Sequence, residues 1–145
     1  MTRIEVKRVI DAPISKVFQT VADIREFSKA LPHVVDFEFL SDADSGVGTR
    51  FRETRDMKGK KMTTELEITE FVDDQCVRMV ADSHGAVWDT LFQVNNESGQ
   101  TELTMIMDAK PYQLMPKLMI PLTKGMIRKA VERDMDLVKN HCEAT

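Results

Sequence analysis

Cysteine is scarce in this chain: Cys76 and Cys142 are the only two in 145 residues, and they form no CxxC or other metal-type spacing. That pattern rules out a disulfide-stapled scaffold and predicts free thiols in a reducing cytoplasm, with Cys142 packed as a small hydrophobe. The three histidines, His33, His84 and His141, are scattered, so a zinc site would need ligands arriving from separate elements. No metal or cofactor is expected. Glycine is limited to six residues, none of them in a phosphate-cradling loop, and neither a Gly-x-Ser-x-Gly elbow nor a paired-histidine helix occurs. Ser15, Ser28 and Ser83 have no evident base partner. Positive charge is outweighed, 20 Lys and Arg against 24 Asp and Glu for a net −4, which argues against a nucleic-acid partner. The small cluster Lys58, Lys60 and Lys61 reads as a solvated hairpin tip. Long apolar runs are missing too, so neither a signal region nor stable membrane insertion is expected, and the location predicted is cytoplasmic. Repeats, low-complexity tracts and linkers are absent, which predicts one domain over 1–145.

What is present is periodicity. Ile4, Val6 and Ile10 alternate with polar residues in a first strand ending at Asp11. "DAPISKVFQTVAD" then predicts a helix with Pro13 at its first position and Ile14, Val17, Phe18 and Val21 on one face. Asp23 suits the cap of a second short helix carrying Ile24, Phe27 and Leu31, which Pro32 ends. From there the period becomes two: Val35, Phe37 and Phe39 share a face, and "SDADSGVG" is a loop.

Five strands are predicted over about 48–57, 60–72, 75–83, 86–96 and 100–110, joined by turns at Lys58-Gly59, Asp73-Asp74, His84-Gly85 and Ser98-Gly99. Paired residues in a hairpin share a face, so parity tests the assignment. Two-residue turns align Phe51, Leu66, Ala81, Trp88 and Ala109 in one row. The next row is Thr49, Ile68, Met79, Thr90 and Met107; a third is Val47, Glu70, Val77, Phe92 and Met105. Apolar residues stay in register across all four turns. "PYQLMPKLMIPL" is apolar and broken by Pro111, Pro116 and Pro121. After it, Ile127, Val131, Met135, Val138 and Cys142 predict one amphipathic helix over 122–142, about 30 Å long at 1.5 Å per residue. The order is strand, two short helices, six antiparallel strands, long helix. A sheet with one apolar face needs a cover, and the last helix is the long element available for it.

The pattern resembles the START-like, helix-grip superfamily (SRPBCC), specifically its polyketide cyclase/dehydrase and lipid-transport group. The likeness rests on "VIDAPISKVFQTVADIREFSKALP" (9–32), "GVGTRFR" (46–52), "TELEITEF" (64–71) and "RKAVERDMDLVKNHCE" (128–143). The segment "VADIREFSKALPHV" is also similar to one in coenzyme-Q-binding proteins, matching at Asp23, Phe27, Leu31 and Pro32, with Ala30 where that branch carries phenylalanine. The resemblance implies an α+β helix-grip fold, in which a curved seven-stranded antiparallel sheet wraps round the long C-terminal helix, with two short helices between strands 1 and 2. It also implies a cavity between sheet and helix for a lipid, polyketide, quinone or similar hydrophobic molecule. A minority of such proteins are cyclases, dehydratases or hydrolases.

The inward rows then supply the candidate ligand-binding residues: Phe37, Phe39, Thr49, Phe51, Glu53, Thr64, Leu66, Ile68, Met79, Ala81, Trp88, Thr90, Phe92, Met105 and Met107, with Met119, Met126 and Ala130 from the helical cover. For any one of them a plain core position is the competing and favoured reading, yet ten methionines provide a wall that adapts to varied apolar ligands. Glu53 and Arg55 share a strand face with Phe51 and Met57, and Glu53 falls in a polar line with Thr64 and Ser83 near the rim. Three readings stay open for them: solvated rim charges, polar anchors for a ligand, or, for Glu53, a general acid beside Trp88. His84, on a turn, reads as a spectator, and an Asp82–His84–Asp89 metal site would need irregular geometry. The segment 114–122 is expected either to pack over the open end of the grip or to touch a membrane transiently during ligand exchange. Carriage of a hydrophobic ligand, catalysis in the same cavity, and a protein-interaction role with a vestigial pocket remain alternatives; oligomeric state is not legible.

Overall fold

Three glycine-bearing turns set the register of the sheet. Lys58 and Gly59 take φ values of 57° and 86°, His84 and Gly85 53° and 81°, Ser98 and Gly99 50° and 86°. Two successive positive φ angles give the turn whose twist matches a two-residue hairpin. The computed structural model describes residues 1–144. Its strands are β1 (Thr2–Ile10), β2 (Val34–Phe39), β3 (Arg50–Met57), β4 (Lys60–Val72), β5 (Cys76–Ser83), β6 (Ala86–Glu97) and β7 (Gln100–Pro111). They form one antiparallel sheet in the order β1-β7-β6-β5-β4-β3-β2. Phe51 lies opposite Leu66, Ala81 opposite Trp88 and Trp88 opposite Ala109. Met79 lies opposite Thr90, which lies opposite Met107.

The fourth turn corrects the sequence reading. Val72 pairs with Cys76, so Asp73, Asp74 and Gln75 all lie in the turn rather than two aspartates alone. A bulge between Ile68 and Glu70 absorbs the extra residue and restores the pairing of Ile68 with Met79. Phe71, not Glu70, therefore lies opposite Val77. Phe71 packs edge-on against Phe18 at 5.3 Å, while Glu70 turns outward to Arg78 at 3.0 Å. The slip takes a carboxylate off the apolar face. Val47, expected in the same row, lies in the loop before β3 and is 62% exposed. A second bulge, between Val34 and Asp36, makes Val34 the buried residue and turns Val35 out, away from the face assigned to it. Phe37 and Phe39 keep their places opposite Glu53 and Phe51.

Two short helices, α1 (Ile14–Ala22) and α2 (Ile24–Ala30), follow β1. Pro13 is the N-cap of α1, with extended φ and ψ, rather than its first helical residue, and its carbonyl accepts from the Val17 N–H. Asp23 caps α2 by accepting the Arg25 N–H at 2.9 Å. Val17, Phe18, Val21 and Leu31 are buried, each contributing about 1.5–3 kcal/mol relative to exposure.

The proline-interrupted stretch after β7 is itself a helix, α3 (Leu114–Leu122), and the last helix is α4 (Lys124–Glu143), starting two residues later than expected. Pro116 is tolerated in the first turn of α3, where its missing N–H has no intrahelical partner to lose. At the other end Thr123 closes α3 by donating its N–H and hydroxyl to the Met119 carbonyl. Helix α4 buries Val131, Met135, Val138 and Cys142, and its 20 residues span about 30 Å. It is tied to β1 by Arg8, which donates to Asp136 at 2.6 Å, and by Lys139, which donates to the Val9 carbonyl. The curved sheet grips this helix. Among the described residues, no helix is long and apolar enough to cross a membrane.

Candidate functional site

Because strand side chains alternate and helical ones recur every three to four residues, sheet and α4 present matched inner faces, and they do not meet everywhere. Between them lies a cavity of about 630 Å³. The sheet contributes Phe51, Glu53, Arg55 and Met57 from β3, then Met62, Thr64 and Leu66 from β4. Met79, Ala81 and Ser83 follow from β5, Ala86, Trp88, Thr90 and Phe92 from β6, and Met105 and Met107 from β7. Val21, Ile24 and Phe27 close one side. Pro116 and Ile120 of α3 join Met126, Ile127, Ala130, Val131, Asp134, Met135 and Val138 of α4 on the other.

Of the expected set, Phe51, Glu53, Thr64, Leu66, Met79, Ala81, Trp88, Thr90, Phe92, Met105, Met107, Met126 and Ala130 line this space. Five do not. Phe37 and Phe39 meet edge to face at 6.1 Å against the core, on an edge strand. Thr49 and Ile68 are buried within the packing, and the Thr49 hydroxyl has no hydrogen-bond partner. Met119 is 46% exposed, because α3 begins its own turn phase and sends Ile120 inward instead. Thr90 sits mid-wall between Met79 and Met107.

The polar end of the cavity differs most from expectation. Glu53 and Arg55 are not solvated rim charges. Glu53 is 8% exposed, and its Oε1 accepts from Arg55 Nε at 2.7 Å. Residues two apart on a strand lie side by side, so the long arginine folds back onto its neighbour. Arg55 Nη1 donates to Asp134 Oδ2 at 2.8 Å, linking β3 to α4. His33 Nε2 lies 3.3 Å from Asp134 Oδ1, and the guanidinium sits over the Phe27 ring at 5.9 Å. Burial opposes the arginine's charge, but Glu53 and then Asp134 outweigh it and raise its pKa above the ordinary value. The guanidinium is permanently charged, and Glu53 meets it as an acceptor, an arrangement unlike the lone acid beside Trp88 considered from sequence. Two carboxyl groups thus face one guanidinium at this end, with His33 beside Asp134.

Asp134 is the charged lining residue that the sequence reading does not name. Its signal was helical spacing: it stands four residues after Ala130 and four before Val138, an acid on the gripped face. His84 is exposed at the cavity's end, its Nδ1 2.7 Å from the Ser83 hydroxyl. Asp82 accepts from the Tyr112 hydroxyl at 2.6 Å and Asp89 from Arg78 at 2.6 Å, so Asp82, His84 and Asp89 do not converge. Among the described residues no group of three His, Cys, Asp or Glu is arranged to hold a metal. Cys142 is buried, and desolvation pushes its thiol above its usual range.

Comparison with known proteins agrees with this geometry. The sequence profile of the family described as "Polyketide cyclase / dehydrase and lipid transport" matches residues 1–143. No curated protein matches the chain. Among solved structures, TTHA0849 from Thermus thermophilus superposes with a TM-score of 0.78 at 18% identity, covering 97% of each chain. The di-domain ARO/CYC BexL from the BE-7585A biosynthetic pathway gives 0.78 at 18% identity, with 99% of this chain covered and 50% of that one. The Aha1 dimer from Colwellia psychrerythraea gives 0.71 at 14% identity, with 99% and 98% covered. At these identities the likeness is one of fold.

Proposed function

Since the chain belongs to the polyketide cyclase/dehydrase and lipid-transport family, we propose that it binds and carries a small hydrophobic or amphipathic molecule in the cavity between sheet and α4. The observation that carries this reading is the cavity itself: about 630 Å³ walled by Met79, Met105, Met107, Trp88 and Phe92, with its charges gathered at one end. That volume falls in the range of ligand pockets, about 300–1,000 Å³, whose walls are mostly apolar with a few orienting polar groups. Left to water, it would hold about 20 molecules at ~30 Å³ each, most of them against methionine and aromatic surface. An apolar ligand replaces that contact favourably.

The charges narrow the ligand class. A carboxylate or phosphate head would approach Glu53 and Asp134 as well as Arg55, whose guanidinium those two carboxylates already engage. Arg55 commits Nε to Glu53 and Nη1 to Asp134 and His33, which leaves Nη2 of its five-donor fork for a neutral acceptor. A carbonyl or hydroxyl oxygen, as on a quinone-like, polyketide-like or neutral lipid molecule, fits this end. Trp88, the chain's single tryptophan, lines the cavity and reports occupancy. Titration with 1-decanol should perturb its fluorescence at concentrations about tenfold or more below those needed for decanoate, one decade being ~1.4 kcal/mol. No response to either probe overturns cavity binding; preference for decanoate overturns the neutral-head assignment.

Catalysis in the same cavity is the second reading, favoured by the presence of Glu53 on its wall and by the fold shared with an ARO/CYC protein. Turnover of an identified substrate that is unchanged in Glu53→Gln removes that carboxylate from the chemistry.

A further inference from the structure

We infer that the open end of the cavity is a membrane-docking surface, where α3 and the tip of the β3–β4 hairpin seat together on a bilayer containing anionic lipid. Helix α3 buries only Ile120. Leu114 is 73% exposed, Leu118 58% and Leu122 78%, with Met115 and Met119 also outward. Met126, at the start of α4, is 70% exposed. Across the mouth, Met57 and Met62 of the hairpin are 39% and 47% exposed. Pro116 and Met126 line the same cavity as Met57 and Met62, so the two apolar surfaces flank one opening. A lone surface leucine needs no explanation, but a contiguous group of this size marks an interaction site.

Charge selects the occupant. Residues 57–62 contain Lys58, Lys60 and Lys61, residues 112–126 contain Lys117 and Lys124, and neither segment has an aspartate or glutamate, on a chain whose net charge is −4. Of the acids beside these segments, Asp56 accepts the Gly59 N–H at 2.8 Å and Asp82 the Tyr112 hydroxyl, and the lysines outnumber them. A second copy docked by two-fold symmetry would set these lysines against themselves, with no acid in either segment to answer them. An anionic bilayer answers both features at once, taking the apolar side chains at the headgroup boundary and the lysines at the lipid phosphates and carboxylates. Docking stands independently of what the cavity binds. Joined to the carrier reading, it lets a hydrophobic ligand pass between bilayer and cavity without crossing water.

Flotation with phosphatidylcholine vesicles, and with vesicles in which about a third of the lipid is phosphatidylserine, tests this directly. The protein should float with the mixed vesicles, bind the neutral ones at least tenfold more weakly, and release as salt screens the lysines. The triple variant K58Q, K60Q, K61Q should lose about a hundredfold in affinity for mixed vesicles, and L118Q with L122Q should lose binding to both. All five positions are exposed, and the two variants probe different elements, so each stands if the other fails to fold. The wild-type comparison of lipids needs no variant. Equal binding to both vesicle types, no flotation at all, or variants that float like wild type would overturn the inference. So would a wild-type dimer that L118Q with L122Q converts to monomer, since the surface would then be a self-interface.

Discussion

Replacing Arg55 with methionine tests how the polar end of the cavity is held. The guanidinium lies between Glu53 and Asp134, whose side chains are 11% and 17% exposed. Removing it leaves two largely buried carboxylates near each other, while methionine keeps most of the side-chain volume. Breaking a buried ion pair by deleting one partner costs about 3–5 kcal/mol. Arg55 is itself 26% exposed, so water partly reaches the site and the lower figure applies, about 3 kcal/mol. For a chain of 145 residues that is a fall in Tm of about 6–12 °C, measured by circular dichroism at pH 7. The triple variant E53L, R55M, D134L leaves neither a charge nor a polar group unpaired and should recover most of the loss, as buried pairs replaced by apolar residues of similar volume generally do. An R55M midpoint within about 1–2 °C of wild type would refute the reasoning and return Glu53 and Arg55 to the solvated rim.

Gly85 has a φ of +81°, and a Cβ there would lie 2.9 Å from Gln113 Cβ and 2.6 Å from its Oε1. Gly85→Ala should therefore cost about 1–3 kcal/mol in urea unfolding, whereas Gly99→Ala, with open space around it, should cost less. Arg3 holds Asp108 through two hydrogen bonds of 2.7 and 2.9 Å and lowers its pKa. A depressed carboxylate stabilises the fold above its unfolded pKa, and that contribution is lost as pH falls through the folded value. Arg3→Gln should thus be less stable than wild type at neutral pH, with the gap closing once pH drops below about 4. A gap that is constant from pH 7 to strongly acidic solution would contradict the assignment. Thr90→Val, on the mid-wall, should weaken 1-decanol binding more than that of a pure hydrocarbon such as decane. Equal effects on the two would remove Thr90 from the polar contacts.

The fold was readable where glycine marked the turns and unreadable where it did not. Lys58-Gly59, His84-Gly85 and Ser98-Gly99 carry their positive-φ requirement in the residue type, and the pairing of Ala81, Trp88 and Ala109 follows from them. Asp73-Asp74-Gln75 has no glycine, and its extra residue puts Phe71 in the row that a two-residue turn assigns to Glu70. Bulges are invisible to strict alternation, which is why alternation places Val35 on the face of Phe37 and Phe39. The apolar lining was legible because parity fixes which side of a strand faces the helix. The charge network was not, because the partner that completes it, Asp134, stands 79 residues from Arg55 and meets it only when α4 lies across the sheet. Sequence spacing placed an acid on the gripped face of α4; what it faced required the fold. Likewise α3 reads as a broken strip when each proline counts as a break, although Pro116 in its first turn breaks nothing and Pro121 lies inside the helix.

Whether the cavity is made for a hydrophobic molecule with a neutral head can be read from native mass spectrometry of protein purified without detergent or organic solvent. A bound, extractable, uncharged organic molecule is expected, lost when Ala81 is replaced by Trp to fill the cavity. Protein that retains its fold and carries nothing, and that still takes up no lipid extract offered to it, would contradict that assignment.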